Sequence, residues 1–344
     1  MAMAWLLPYC SDRLGAHMKS NLGISSFAVH FPDGRLSAQE IMSHHNLSSA
    51  VQKVFCRVFG LSEVATAREA EPLQTSLHEA LKKLKEKAPR LSPELVIYVH
   101  GLPCQAPVGD DFVQSIIRDF FPEFSPPLIG ISHHNCASLI YGIAFAEDVF
   151  AVFPKLNEIL ILAADQLNLL GPESRYVTGA TLVGDAALAI QIMRNGPHNL
   201  LSQATRHEPK FHEGLYADDK GYKEFYSAHD DILDKVIDAS LEKAALSLKQ
   251  IDWILPHNTN LAVWNRFSER TGFPRNRIHT ELVTRYGHCY TVDPFLSWEN
   301  LEDSGKLKPG DRVLALTVGI GAYAGACIFE IGKSSPSEIF EQET

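Results

Sequence analysis

Cysteine pairs are missing from this sequence: the six cysteines stand singly at positions 10, 56, 104, 136, 289 and 327, with no Cys-x-x-Cys among them. That excludes a zinc ribbon or thioredoxin-type motif and, in a chain of 344 residues, argues against a disulfide framework. Positive charge is also short. Lysine and arginine number 31 against 41 aspartates and glutamates, a formal charge of -10, whereas nucleic-acid binders carry a basic surface. No nucleic-acid partner is expected. Long uncharged runs are scarce. The best, VLALTVGIGAYAGACIF at 313–329, falls short of the roughly 20 residues a spanning helix needs. Its glycines at 319, 321 and 325 fit two buried strands around a tight turn, so no membrane span is expected. The stretch MAMAWLLPYCSDRLG lacks the charged and then apolar pattern of a secretory leader, and a cytoplasmic, reducing setting is the expectation. Neither Gly184-Asp185 nor the loop from Gly319 to Gly325 has the Gly-x-Gly-x-x-Gly pattern that opens a nucleotide-binding helix.

What is present is a globular composition, 45% hydrophobic and 21% charged, with enough apolar residues for a large core. Helical periodicity is clearest at 76–87 and 229–250, where Ile232, Val236, Ile237, Leu241, Ala244, Ala245 and Leu248 form one apolar stripe. The short runs LVIYVHG, PPLIGIS, EILILAADQ, ATLVGDAALAIQIM, DWILPHN and DRVLALTVG read as buried strands. Strands alternating with helices give an α/β protein. The order of these pieces occurs twice, which predicts two similar halves at 1–195 and 196–333, followed by a frayed tail at 334–344. The polar stretch 194–222 between them reads as a crossover.

The chemistry points to GISHHNCASLIYG at 130–142, where Cys136 stands at the start of an apolar helix. A cysteine there faces unpaired backbone N–H groups and the positive end of the helix dipole, which favour thiolate. His133, His134 and Cys136 carry metal-ligand atoms, but three ligands within four residues do not match the separated pairs of zinc sites, and no metal is assigned. The two histidines are expected to shape a pocket or face a crossover helix. Sites in α/β cores assemble from strand ends and helix starts, which would bring Cys136 to His257, at the end of DWILPHN, and to His288, in RYGHC. Cys289 reads as packing.

Cys136 opening a helix, Pro256-His257-Asn258-Thr259-Asn260, Tyr286-Gly287-His288, Gly184-Asp185-Ala186-Ala187, and Gly319-Ile320-Gly321 with Gly325 occur in an order that resembles the thiolase superfamily. Within it, the likeness is to the β-ketoacyl-acyl-carrier-protein synthase III branch. The resemblance implies a five-layered α/β/α/β/α thiolase-like fold built from two similar halves, a homodimer, and no tightly bound cofactor. Substrates would arrive as acyl-carrier-protein or coenzyme A thioesters. Carried over residue by residue, Cys136 is the nucleophile, His257 and His288 complete the catalytic set, and the backbone N–H groups of Cys136 and Ile320 form the oxyanion hole. Asn260, Gly319 and Gly321 support the site. The Arg266, Arg270, Arg275 and Arg277 cluster would dock an acidic carrier protein.

Several positions depart from that pattern. Histidine stands at 288 where the family has asparagine, the early tryptophan segment that holds coenzyme A has no match, and Ala262 replaces the frequent docking arginine. His133, His134 and Asn135 precede the cysteine where small residues are usual. The resemblance therefore implies acyl transfer through an acyl-Cys136 thioester in a specialised polyketide or fatty acid pathway, foremost decarboxylative condensation with a malonyl-type thioester. Transfer to an alcohol or amine, with His257 or His288 as base, is the alternative. A catalytically silent partner subunit is a lesser one, and the signature of a papain-like hydrolase is absent.

Overall fold

The computed structural model describes residues 21–102, 112–168 and 170–333. Cys10, Cys104 and the tail 334–344 lie outside the described residues. The strands that set the frame are β1 (Leu22–His30), β2 (Leu95–Val99), β3 (Leu128–Ile131), β4 (Glu158–Asp165), β5 (Ala186–Arg194), β6 (His198–His207), β7 (Trp253–Leu255), β8 (Arg312–Gly319) and β9 (Tyr323–Glu330). They form one nine-stranded sheet in the order β7-β8-β9-β6-β1-β5-β4-β2-β3. β2 runs parallel to β3 and β4, and β7 parallel to β8, while the pairings around β1, β5, β6 and β9 are antiparallel. A parallel bridge from Ile254 to Ile278 sits beside β7 where β3 sits beside β2. The strand pattern on one side of the β1–β6 pairing is thus repeated on the other.

Alternation along the strands divides the core into layers. In β4, Ile159, Ile161 and Ala163 face a central cluster that holds α3 (Ser138–Val152) and α6 (Asp293–Asp303). Leu160, Leu162 and Ala164 face outward, onto α1 (Leu73–Lys87) and α2 (Phe112–Phe120). On the far side β8 sends Val313 and Ala315 to the same central cluster, and Leu314, Leu316 and Val318 to α4 (Asp219–Ala244) and α5 (Leu261–Thr271). Helix, sheet, helix, sheet, helix is the expected five-layered α/β arrangement. The stretch Asn135–Val152 is long and apolar enough by length and composition to cross a membrane, but here α3 fills the central layer.

Three expectations are corrected. The 194–222 stretch is not only a crossover: it contains β6, the partner of β1 at the middle of the sheet. Its polar residues hid it, and Ser202 is buried because its hydroxyl donates to the Ser240 carbonyl oxygen at 2.8 Å. The long helix starts at Asp219, ten residues earlier than its apolar stripe indicated, capped by the Asp218 carboxylate on Gly221 N–H. It ends at Ala244 because Ala245 turns left-handed (φ 53°), which leaves Leu248 in a separate 3-10 turn. The 313–329 run is, as expected, two strands, β8 and β9, joined by a turn in which Gly321 has φ 91°.

Candidate active site

Cys136 lies in a 3-10 turn, Asn135–Ala137, between the end of β3 and the start of α3. His257 follows β7, its carbonyl held by Trp264 Nε1 at 2.9 Å. His288 follows Gly287, whose φ of 64° and close approach to Leu182 O leave no room for a side chain. All three side chains are at least 95% buried and line one cavity of about 230 Å³. The distant histidines, rather than His133 and His134, meet the cysteine. Cys136 Sγ lies 3.1 Å from His288 Nε2, and His257 Nε2 lies 3.2 Å from the same nitrogen.

Asp293, at the first position of α6, completes the set and escaped the sequence reading. Its Oδ2 accepts from His288 Nδ1 at 2.6 Å and from Asn258 N–H at 2.7 Å, while Oδ1 accepts from Cys289 N–H at 2.7 Å. Burial works against charge on His288, but the Asp293 carboxylate and the Cys136 sulfur outweigh it and push the imidazole up to about 10. Burial, reinforced by His288, holds His257 well below the ordinary histidine range, so it is neutral. Burial also pushes the Cys136 thiol up, against the pull of His288. Desolvation thus opposes the thiolate expected at this helix start. The Sγ and two Nε2 atoms lie within 4.8 Å of one another, donors of a kind zinc accepts.

Residues 241–331, which contain both histidines, match the family model for the 3-oxoacyl-[acyl-carrier-protein] synthase III C terminal. Among curated proteins, β-ketoacyl-[acyl-carrier-protein] synthase III of Aquifex aeolicus is 25% identical over 200 residues, covering 56% of this chain and 63% of the relative. The Rickettsia prowazekii protein of the same name is 26% identical over 208 residues, covering 56% and 64%. The match thus spans just under two thirds of these relatives' length. The chain is thus similar to these synthases over about 56% of its length, and to the family model over its C-terminal part. Solved structures agree in fold. The Aquifex aeolicus synthase III superposes with a TM-score of 0.77 at 21% identity, covering 90% of this chain and 99% of that one. The acyltransferase ChlB3 gives 0.78 at 18%, covering 92% and 99%.

The other expected residues fall in several places. Asn260 caps α5: its Oδ1 accepts from Val263 N–H at 3.0 Å, and its Nδ2 donates to Ala180 O at 2.8 Å. Both ends of that amide are engaged, so it supports the site by holding the loop. Gly319 lets β8 pass against the Cys136 turn, since a Cβ there would stand 3.0 Å from Cys136 N and 2.8 Å from Asn135 Cβ. Ile320 lines the cavity with Cys136. Arg266 pairs with Asp230 at 2.7 Å, Arg270 pairs with Asp234, and Arg275 reaches Asn265, Ile278 O and Thr280. Of the four arginines expected to dock a carrier, Arg277 is exposed and, among the described residues, makes no side-chain hydrogen bond or ion pair. His133 is exposed beside Ser132, and His134 stacks on Tyr141 of α3 at 3.8 Å. Neither lines the cavity, contrary to the pocket-shaping role expected for them.

Beneath the site, Asp165 accepts from Gly101 N–H, Leu102 N–H and Thr291 Oγ1. Burial nonetheless raises its carboxyl to about 7. A carboxyl raised from 3.8 binds a proton in the folded chain that the unfolded chain has released, so its contribution to stability falls as pH rises from about 4 to about 7. In Asp165→Asn the amide oxygen can keep both backbone bonds while Nδ2 donates to Thr291. Urea titrations between pH 4 and 7 are therefore expected to show a flatter pH dependence than the parent; an unchanged slope would assign the dependence elsewhere.

Proposed function

We propose that the chain transfers an acyl group in two steps through a thioester on Cys136. In the reactive form the proton shared by Sγ and His288 Nε2 rests on nitrogen. The sulfur attacks the carbonyl carbon of an acyl thioester delivered by a carrier protein or coenzyme A. The new S–C bond forms, the donor C–S bond breaks, and the departing thiolate takes the proton from His288. His288, now neutral, removes the proton of a hydroxyl or amine acceptor as its oxygen or nitrogen attacks the acyl carbon. Cys136 leaves as thiolate, and the thiolate–imidazolium pair is restored. Both tetrahedral intermediates are assigned to the N–H groups of Cys136 and Ile320.

The observation that carries this reading is the Asp293 carboxylate 2.6 Å behind His288. A carboxylate in that place fixes the imidazole tautomer and stabilises its charged form through both steps. The acyltransferase ChlB3 has a similar fold. Decarboxylative condensation is the second reading, favoured by the 3.2 Å approach of the two Nε2 atoms. If both carry hydrogen, His257 and His288 could together hold the enolate left when a malonyl thioester loses carbon dioxide. A division into halves at residue 195, a homodimer, and delivery by an acyl carrier protein belong to the same proposal.

Intact mass after incubation with acyl thioesters tests the common step: an acyl adduct is expected on the parent and none on Cys136→Ala. An equal adduct on Cys136→Ala would refute the covalent route. Labelled malonyl thioester then separates the readings. Transfer to a hydroxyl or amine without release of carbon dioxide supports the first, and labelled carbon dioxide supports the second. His288→Asn keeps substantial turnover only under condensation.

A further inference from the structure

The residue before the nucleophile has a place in the geometry that the catalytic set leaves unexplained. Asn135 Oδ1 accepts from Cys136 N–H at 2.8 Å and from the Cys136 thiol at 2.9 Å. The amide orientation is fixed, since reversing it would point NH₂ at the Cys136 N–H. An oxygen 2.9 Å from sulfur favours the thiol, whose proton it accepts, over the thiolate, which it repels. The same oxygen takes the N–H that the acyl oxygen needs. Around it the backbone is pinned: Ser138 Oγ donates to Asn135 O at 2.8 Å, and Ala137 N–H donates to His134 O at 3.1 Å. The side chain itself is half-buried and lines the cavity. It is the movable part.

We propose that Asn135 is a positioning residue that gates the nucleophile: its carboxamide oxygen occupies the place of the acyl carbonyl oxygen until a thioester donor displaces it. This rests on the acyl-Cys136 reading. With the side chain seated, Cys136 keeps its proton and the oxyanion position is filled. When a donor carbonyl enters, the Asn135 side chain rotates away. The one proton shared by Sγ and His288 then moves from sulfur to Nε2, leaving the thiolate to attack, and the Cys136 N–H turns to the substrate oxygen. Donors that offer a carbonyl oxygen at that point are selected over electrophiles that do not, and the thiol is protected while the site is empty.

The test is the alkylation rate of Cys136 by iodoacetamide, read by mass spectrometry of the peptide that carries it, from pH 6 to 10. Residue 135 is left-handed (φ 51°), so Asn135→Gly removes the side chain without backbone strain. Release of a hydrogen bond of ordinary strength predicts alkylation about three- to tenfold faster, with its pH midpoint moved down. Asn135→Asp keeps the shape but sets a negative charge against the sulfur, and alkylation is expected to be slower than in the parent. A merely structural role would move both variants in the same direction. Overturning results are a glycine variant no faster than the parent, or an aspartate variant as fast as the glycine one. The buried Cys289 and Cys327 report in the same digest that the fold is retained. Acyl adducts from N-acetylcysteamine thioesters separate this proposal from the function. If the parent takes no acyl group but alkylation responds as stated, the gate stands and the transfer reading falls. If acylation occurs and alkylation ignores Asn135→Gly, the reverse holds.

Discussion

Asp293→Asn is expected to lower acyl transfer by about ten-thousandfold, the order lost when the carboxylate behind a catalytic imidazole becomes an amide. Three donors converge on Asp293: His288 Nδ1, Asn258 N–H and Cys289 N–H. An asparagine has one accepting oxygen. Placed toward His288 and Asn258, it turns NH₂ against Cys289 N–H; placed toward Cys289, it turns NH₂ against the other two. The imidazole then loses its fixed tautomer and its counter-charge. Because His288 is raised from 6.5 to about 10 in the folded chain, the stabilisation it adds is complete below about pH 6.5 and disappears as pH rises through about 10. In the variant that loss should be smaller and should end nearer neutrality. Single-turnover rates and urea midpoints across pH 6 to 10 measure both. A variant with parental turnover and an unmoved alkaline limb would remove Asp293 from the mechanism.

Asp185→Ala is expected to cost about 3–5 kcal/mol of stability, the range for removing one partner of a buried ion pair. Asp185 and Arg175 are each 1% exposed. The guanidinium meets the carboxylate through two bonds of 2.8 Å and also reaches Val183 O and Thr66 Oγ1. The carboxylate accepts from Ala67 N–H and Leu167 N–H as well. Alanine strands a buried cation and two backbone donors together. The measurement is the denaturation midpoint, and replacing both partners by Arg175→Met with Asp185→Leu should recover part of the loss. A midpoint within about 0.5 kcal/mol of the parent, the range of ordinary surface changes, would mean that the pair contributes nothing net.

Much of this architecture was legible from pattern. Apolar runs such as EILILAADQ became strands because both faces of the sheet are covered, and covered strands read as continuous hydrophobic stretches. β1 and β6 were not legible. Serines interrupt both apolar runs, Ser25 and Ser26 in β1 and Ser202 in β6, and the Ser240 that satisfies Ser202 lies far away in sequence, where a local pattern holds no record of it. At the site, Cys136, His257 and His288 were readable because residue type and order carry the chemistry. Asp293 lies five residues beyond His288, just before Pro294 at a helix start. That position invites an acidic residue for the helix dipole alone, so its second use was masked. Asn135 was visible in the sequence, but its two bonds to Cys136 depend on a left-handed backbone that only the fold discloses.

The pairing of β1 with β6 sets a tolerance. The sulfur hangs from the strands on one side of that seam and the His257 imidazole from β7 on the other, while His288 is tied by backbone bonds to Leu182 and Gly184. A slip of one residue there would shift the two sides by about 3.3 Å, as much as the whole distance between the two Nε2 atoms, and would turn every inward side chain outward. The seam therefore works as a ruler for the site, and the least conspicuous strands in the sequence are the ones that keep His257 within reach of the Cys136–His288 pair.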